Sequence, residues 1–318
     1  MMDMPLEMLA IGWLLAEILG AGVIKRTLFS VIVSTVIGGI TIGLMYATNT
    51  WDWPVYMVLA ILGLTFAAYL RFGQGIRHVT RRPLLGWLAQ IGLFFAVQQI
   101  ATIPFRTYFA TAYSSVDPFL GQKTPIWAYL DIHGVFIFLL LSLLIWQTAR
   151  VLRRTYVRDV LRNAGAALLI AGAIGVTLAI TFVFAVPSVQ AWIFNPPYPV
   201  AIICLPMLVW AAILFFLPNQ SREMRAVLAI TILAIALTFA TEMVTLQNDS
   251  GRQNTIFKLY TQAWLLFAIA GGVALAWLVR ASERWHASLR SPWLAVMAVL
   301  LSIAGLFPIM ATQGKIAM

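Results

Sequence analysis

The chain has 318 residues, of which 62% are hydrophobic and only 10% charged, far below the ~25% charged residues of a soluble domain. Its formal charge of +10 is spread over short stretches between apolar runs, the pattern of membrane topology, and no nucleic-acid partner is expected. The single cysteine, Cys204, excludes an intrachain disulfide and a cysteine metal centre.

An apolar run of ~20 residues spans a bilayer as a helix, because lipid offers the backbone no hydrogen-bond partners. Ten such spans are predicted, over residues 6–24, 27–47, 54–70, 84–105, 127–149, 165–187, 198–217, 226–246, 256–279 and 293–312. They make an all-α, polytopic helix bundle, read as one domain over 1–318. The segment from Met1 to Glu7 has no basic n-region and is not a secretory signal peptide.

The basic residues orient the bundle. With the N-terminus outside, 16 of the 21 fall in cytoplasmic loops, leaving Arg106, Lys123, Arg252, Lys258 and Lys315 outside. Basic residues are retained on the cytoplasmic side, which predicts an N-out, C-out protein of a cytoplasmic membrane, prokaryotic by expectation. Most acidic residues gather at the outer face: Asp3, Glu7, Asp52, Asp117, Asp131, Glu242 and Asp249, with Glu17 inside the first span. That cluster reads either as an acid/base or metal-binding surface or as solvated loop charge.

In chain order, Gly39 and Gly43 in the second span form a GxxxG pair that predicts close helix packing, and Gly271-Gly272 reads the same way. The turn Thr48–Tyr56 holds Asp52 between Trp51 and Trp53; interfaces collect aromatic residues for physical reasons alone, but not the carboxylate. Entering the fifth span, Asp131 and His133 stand two residues apart, a poor metal pair on a helix. His133 reads either as a functional intramembrane group or as a packing histidine.

The segment from Glu242 to Trp264 is the most informative. With a helix starting near Ser250, Asn254, Lys258 and Gln262 share one face. Arg252 and Lys258 break the positive-inside bias beside a helix N-terminus, whose free N–H groups suit a phosphate or carboxylate. The competing reading makes them interfacial cations that bind lipid headgroups or pair with Glu242 and Asp249. Paired intramembrane histidines are missing among His78, His133 and His286, so no haem is expected; Walker and HExxH motifs are absent, and matched broken helices of a transporter are not visible.

Three stretches resemble the highly hydrophobic "YYY" membrane proteins of Chloroflexi and archaea (Chlor_Arch_YYY), a domain of unknown function similar to GT-C glycosyltransferases. They are Ala47–Tyr56, Ile132–Phe136 and Arg252–Trp264, the last with Gln253 in place of the family's usual Met. The resemblance implies a GT-C-like membrane domain that transfers sugar from a polyprenyl-phosphate donor outside the cytoplasm. It also implies that 1–318 is the later part of a larger domain, because the family's earlier acidic, YYY and Asp-Leu-His-x-His elements are not found here. Another membrane polypeptide is then an expected partner. On this reading Arg252, Asn254, Lys258 and Gln262 hold the donor phosphate. Asp52, Asp131 and Glu242 contact the acceptor or a divalent metal ion, with His133 and Asp249 as further candidates. The rival reading is a non-catalytic scaffold subunit of a membrane complex.

The orientation is testable by labelling. Ser115→Cys and Ser250→Cys should react with an impermeant maleimide in intact cells, and His78→Cys should not; the reverse pattern would place the acidic face inside.

Overall fold

The computed structural model describes residues 4–71, 81–109, 115–154, 198–217, 220–247 and 249–316. Among them are nine helices: α1 (Met4–Gly20), α2 (Leu28–Thr48), α3 (Asp52–Arg71), α4 (Arg81–Tyr108), α5 (Ile126–Arg154), α6 (Ala201–Phe216), α7 (Arg222–Met243), α8 (Gln253–Ser282) and α9 (Ala287–Ile316). Two short strands, β1 (Val116–Pro118) and β2 (Val244–Leu246), pair with each other. Seven helices, α2 to α5 and α7 to α9, are long and apolar enough to cross a membrane. The protein is therefore an all-α, polytopic membrane bundle. The described helices coincide with nine of the ten expected spans, although α1 and α6 are shorter than the seven. The expected span over 165–187 lies outside the described residues.

Local signals set several helix ends. Thr27 caps α2 by accepting from the N–H of Ser30 at 3.1 Å, and Ser221 caps α7 by accepting from Met224 at 3.2 Å. Gly251 enters α8 with φ +71°, a left-handed turn that glycine makes without steric cost. Inside the spans, Thr231, Thr238 and Thr241 return their hydroxyl protons to carbonyls one turn back, so these three donors are not left unspent in apolar surroundings.

The helices divide into two compact units. The first takes Met1–Ser115 with Leu246–Asn248 and contains α1 to α4. Here α2 packs most extensively on α4, and the GxxxG pair is the reason. A Cβ on Gly39 would lie 2.8 Å from Val97, and one on Gly43 would lie 2.8 Å from Ala101 and 2.9 Å from the Gln98 carbonyl. Gly38 faces α1 instead, where a Cβ would meet the Trp13 indole at 2.3 Å. Missing side chains let the backbones approach.

Glu17, the carboxylate inside the first span, is fully buried. It accepts from Arg26 and Arg71 at 2.5 Å each and from Ser34 at 2.5 Å. Arg71 also donates to Gln90 at 3.3 Å, so this one carboxylate ties together α1, α2, α3 and α4.

The second unit takes Val116–Thr245 with Asp249–Met318. Its centre is α7, packed against α6 and α8, with α8 on α5. Gly271 receives Phe136 at 3.3 Å from its would-be Cβ, whereas Gly272 faces open space. α9 packs against α5, buries Trp293 and Met297, and bonds the Trp293 indole to Ser142 at 3.0 Å.

Gly43→Val should lower the thermal unfolding midpoint of the detergent-solubilised protein, with a destabilisation of about 1–3 kcal/mol from overpacking. Gly92→Ala, where a Cβ meets nothing within 4 Å, should leave it unchanged or raise it. Equal tolerance at both positions would remove the close-packing role of the GxxxG pair.

Candidate functional site

A buried polar cluster of the second unit forms where three chain segments meet: the loop from Phe119 to Thr124, the C-terminal turn of α7, and the N-terminus of α8. Pairing of β1 with β2 brings the first two together, with the N–H of Phe119 donating to the Met243 carbonyl at 2.9 Å.

At its centre Glu242 is fully buried. One carboxylate oxygen accepts from Arg252 at 2.7 Å and from the Thr124 hydroxyl at 2.6 Å; the other accepts from the Thr124 N–H at 2.9 Å. Arg252 spends further donors on the Thr241 carbonyl at 2.8 Å and on the Thr124 hydroxyl at 2.7 Å. Lys123 donates to the carbonyls of Phe119 and Glu242, and its ammonium lies 4.7 Å from the Tyr198 ring. Burial lowers the Lys123 pKa from the usual lysine range; Glu242 opposes this and Arg252 reinforces it. No motif in the sequence marks Lys123 or Thr124 as a site residue. The available signal was that Lys123 is one of five basic residues outside the positive-inside pattern.

Helix α8 begins at Gln253 with Arg252 as its N-cap, rather than near Ser250. Its free N–H groups are already served from within the chain. Asp249 accepts from the N–H groups of Asn254 at 3.2 Å and Thr255 at 2.8 Å, and from their side chains at 3.2 and 2.8 Å. Burial alone raises the Asp249 pKa, but these hydrogen bonds from Thr255 and Asn254 outweigh it and hold the carboxyl below its usual range. The anion at this helix end is therefore a side chain of the protein itself.

On the face predicted to carry the donor phosphate, Asn254 is exposed, Lys258 half-buried and Gln262 buried. Asp131 is exposed on α5. His133, two residues on, is fully buried among Tyr129, Tyr260 and Phe267, with ring centroids at 4.9, 4.7 and 5.5 Å. Neither imidazole nitrogen has a hydrogen-bond partner among the described residues. Tyr129 bonds to Thr238 at 2.9 Å. In the first unit, Asp52 is buried at the start of α3. The neighbouring Trp53 indole donates to Gln98 at 2.9 Å, and the Arg106 guanidinium lies over the rings of Tyr46 and Trp53 at 4.7 and 5.8 Å.

A divalent metal does not fit at Glu242. Both of its oxygens already face hydrogen-bond donors, two cations lie beside it, and among the described residues no three carboxylate, histidine or cysteine side chains could share an ion.

The segments that build this cluster fall inside the part of the chain, residues 1–267, that matches the model of an uncharacterized membrane protein family, DUF2298. The chain belongs to that family. No curated protein and no solved structure matches it. The DUF2298 match takes in Asp52, Lys123, Thr124, Glu242 and Arg252, and α9 lies beyond it.

Removing one partner of a buried ion pair leaves a charge without compensation and costs about 3–5 kcal/mol. Arg252→Met should therefore lower the unfolding midpoint strongly, and the double variant Arg252→Met/Glu242→Leu should recover much of the loss. A double variant no more stable than Arg252→Met alone would argue against direct coupling.

Proposed function

We propose that this protein is a GT-C-like component of a membrane sugar transferase that takes its donor from a polyprenyl phosphate on the non-cytoplasmic side. The observation that carries the reading is the buried cluster of Lys123 and Arg252 around Glu242, in loops that the charge pattern assigns outside. A buried site with more positive than negative charge favours an anionic ligand. A lipid phosphate brings that charge to this depth. In the reaction, an acceptor hydroxyl attacks the anomeric carbon, the bond from that carbon to the phosphate oxygen breaks, and the polyprenyl phosphate departs with the electron pair. A carboxylate takes the hydroxyl proton. Glu242 already accepts three hydrogen bonds, so it serves as counter-ion, and the proton acceptor within the same unit is Asp131. Arg252 anchors the phosphate side, with Asn254, Lys258 and Gln262 on the adjoining helix face.

A scaffold role is the second reading, favoured by the extent to which Arg252 spends its donors on Glu242, Thr124 and Thr241. Transfer from a radiolabelled polyprenyl-phosphate sugar separates the two. The purified chain alone should transfer nothing and should co-purify from native membranes with another hydrophobic polypeptide. Those membranes should transfer sugar, with Arg252→Met slowing them at least about thirtyfold, the equivalent of ~2 kcal/mol. Turnover by the isolated chain would remove the need for a partner, and membranes indifferent to Arg252→Met would leave the scaffold.

A further inference from the structure

We infer that Lys123, Arg252 and Glu242 form a site for a phosphodiester monoanion, with Lys123 the cation left for the ligand once Glu242 has neutralised Arg252. The inference rests on the lipid-phosphate reading above and narrows it to one class of phosphate.

The Lys123 ammonium and the Arg252 guanidinium carbon lie 4.6 and 4.5 Å from the centroid of the same ring, Phe119. Two like charges gathered on one buried ring repel each other in a low dielectric, and Glu242 offsets only one of them. Among the described residues Lys123 hydrogen-bonds or stacks only on neutral groups, the carbonyls of Phe119 and Glu242 and the rings of Phe119 and Tyr198, and the Glu242 carboxylate that acts on it through space is already bonded to Arg252. An ammonium has three N–H donors, so one remains for a ligand after the two carbonyls. Two buried cations sharing one carboxylate leave one positive charge uncompensated, which is costly. The cluster is completed either by an anion or by loss of the Lys123 proton, toward which burial already biases it. An arriving anion reverses that bias and keeps the ammonium charged.

Charge then sets the class. One negative charge balances the excess. A phosphodiester carries one, whereas a phosphate monoester near neutral pH carries about 1.5–2, and a pyrophosphate also overshoots. Two sources present a phosphodiester at a membrane surface: a phospholipid headgroup, and the linkage between a sugar and a polyprenyl phosphate.

The test uses the full chain in detergent micelles, titrated with short-chain phosphatidylglycerol, with a polyprenyl-phosphate glucose and with a polyprenyl pyrophosphate, and followed by tryptophan fluorescence. The wild type should bind at least one phosphodiester more tightly than the pyrophosphate. Lys123→Gln should weaken that binding about thirtyfold or more, Lys123→Arg should restore most of it, and Lys315→Gln on α9 should change nothing. Glu242→Gln, which raises the excess charge, should reverse the preference toward the pyrophosphate; where either variant fails to fold, the wild-type preference between phosphodiester and pyrophosphate still decides. Binding of phosphatidylglycerol without the sugar lipid supports the inference and ends the sugar-donor reading. Sugar transfer by native membranes that persists in Lys123→Gln overturns the inference and leaves that reading standing. A wild type that prefers pyrophosphate, or binds none of the three, also overturns it.

Discussion

A carboxylate held among apolar side chains cannot stay ionised without a cation, and that constraint organises both units of this protein. Glu17 and Glu242 are fully buried, and each is met by arginine. In the first unit the consequence is mechanical. Arg26, Ser34 and Arg71 converge on Glu17, and Gln90 extends the network to α4, so four helices are held together through one carboxylate. In the second unit the same need draws the loop around Thr124 onto the C-terminal turn of α7 and the first turn of α8.

The two clusters differ in what remains after pairing. Around Glu17 both cations are arginines that bond the carboxylate directly and stay partly exposed, at 19% and 20% of the side chain. Water and headgroups can therefore share their charge. Around Glu242 the second cation is Lys123, which is buried and, among the described residues, hydrogen-bonds only carbonyl oxygens and lies against aromatic rings. The helix N-terminus close by offers no alternative anion site, because Asp249 fills it. The charge left in excess among these three residues is therefore a single positive one.

Much of the architecture was legible in the amino-acid sequence because lipid acts locally. A window of about twenty apolar residues has one stable solution in a bilayer, and nine of the ten expected spans have helices in the described residues. Gly39 and Gly43 announced a close helix crossing for the same reason, since a missing side chain is a property of the position. Arg252 and Asp249 were legible as residues of interest beside a helix start, but with two readings each. The face formed by Asn254, Lys258 and Gln262 followed from helical spacing alone.

Tertiary structure decided which partner each charge takes, because pairing depends on segments far apart in the chain. Arg71 lies 54 residues from Glu17, and Thr124 lies 118 residues from Glu242. No periodicity encodes such separations. The same holds for Lys123, an outlying basic residue by sequence and a buried neighbour of Arg252 in the fold. The sequence determined that these helices lie in a membrane, because burying apolar side chains in lipid is decided residue by residue. Only the fold decided where its charges meet, because Coulomb energy depends on distance in space and on the dielectric around each pair.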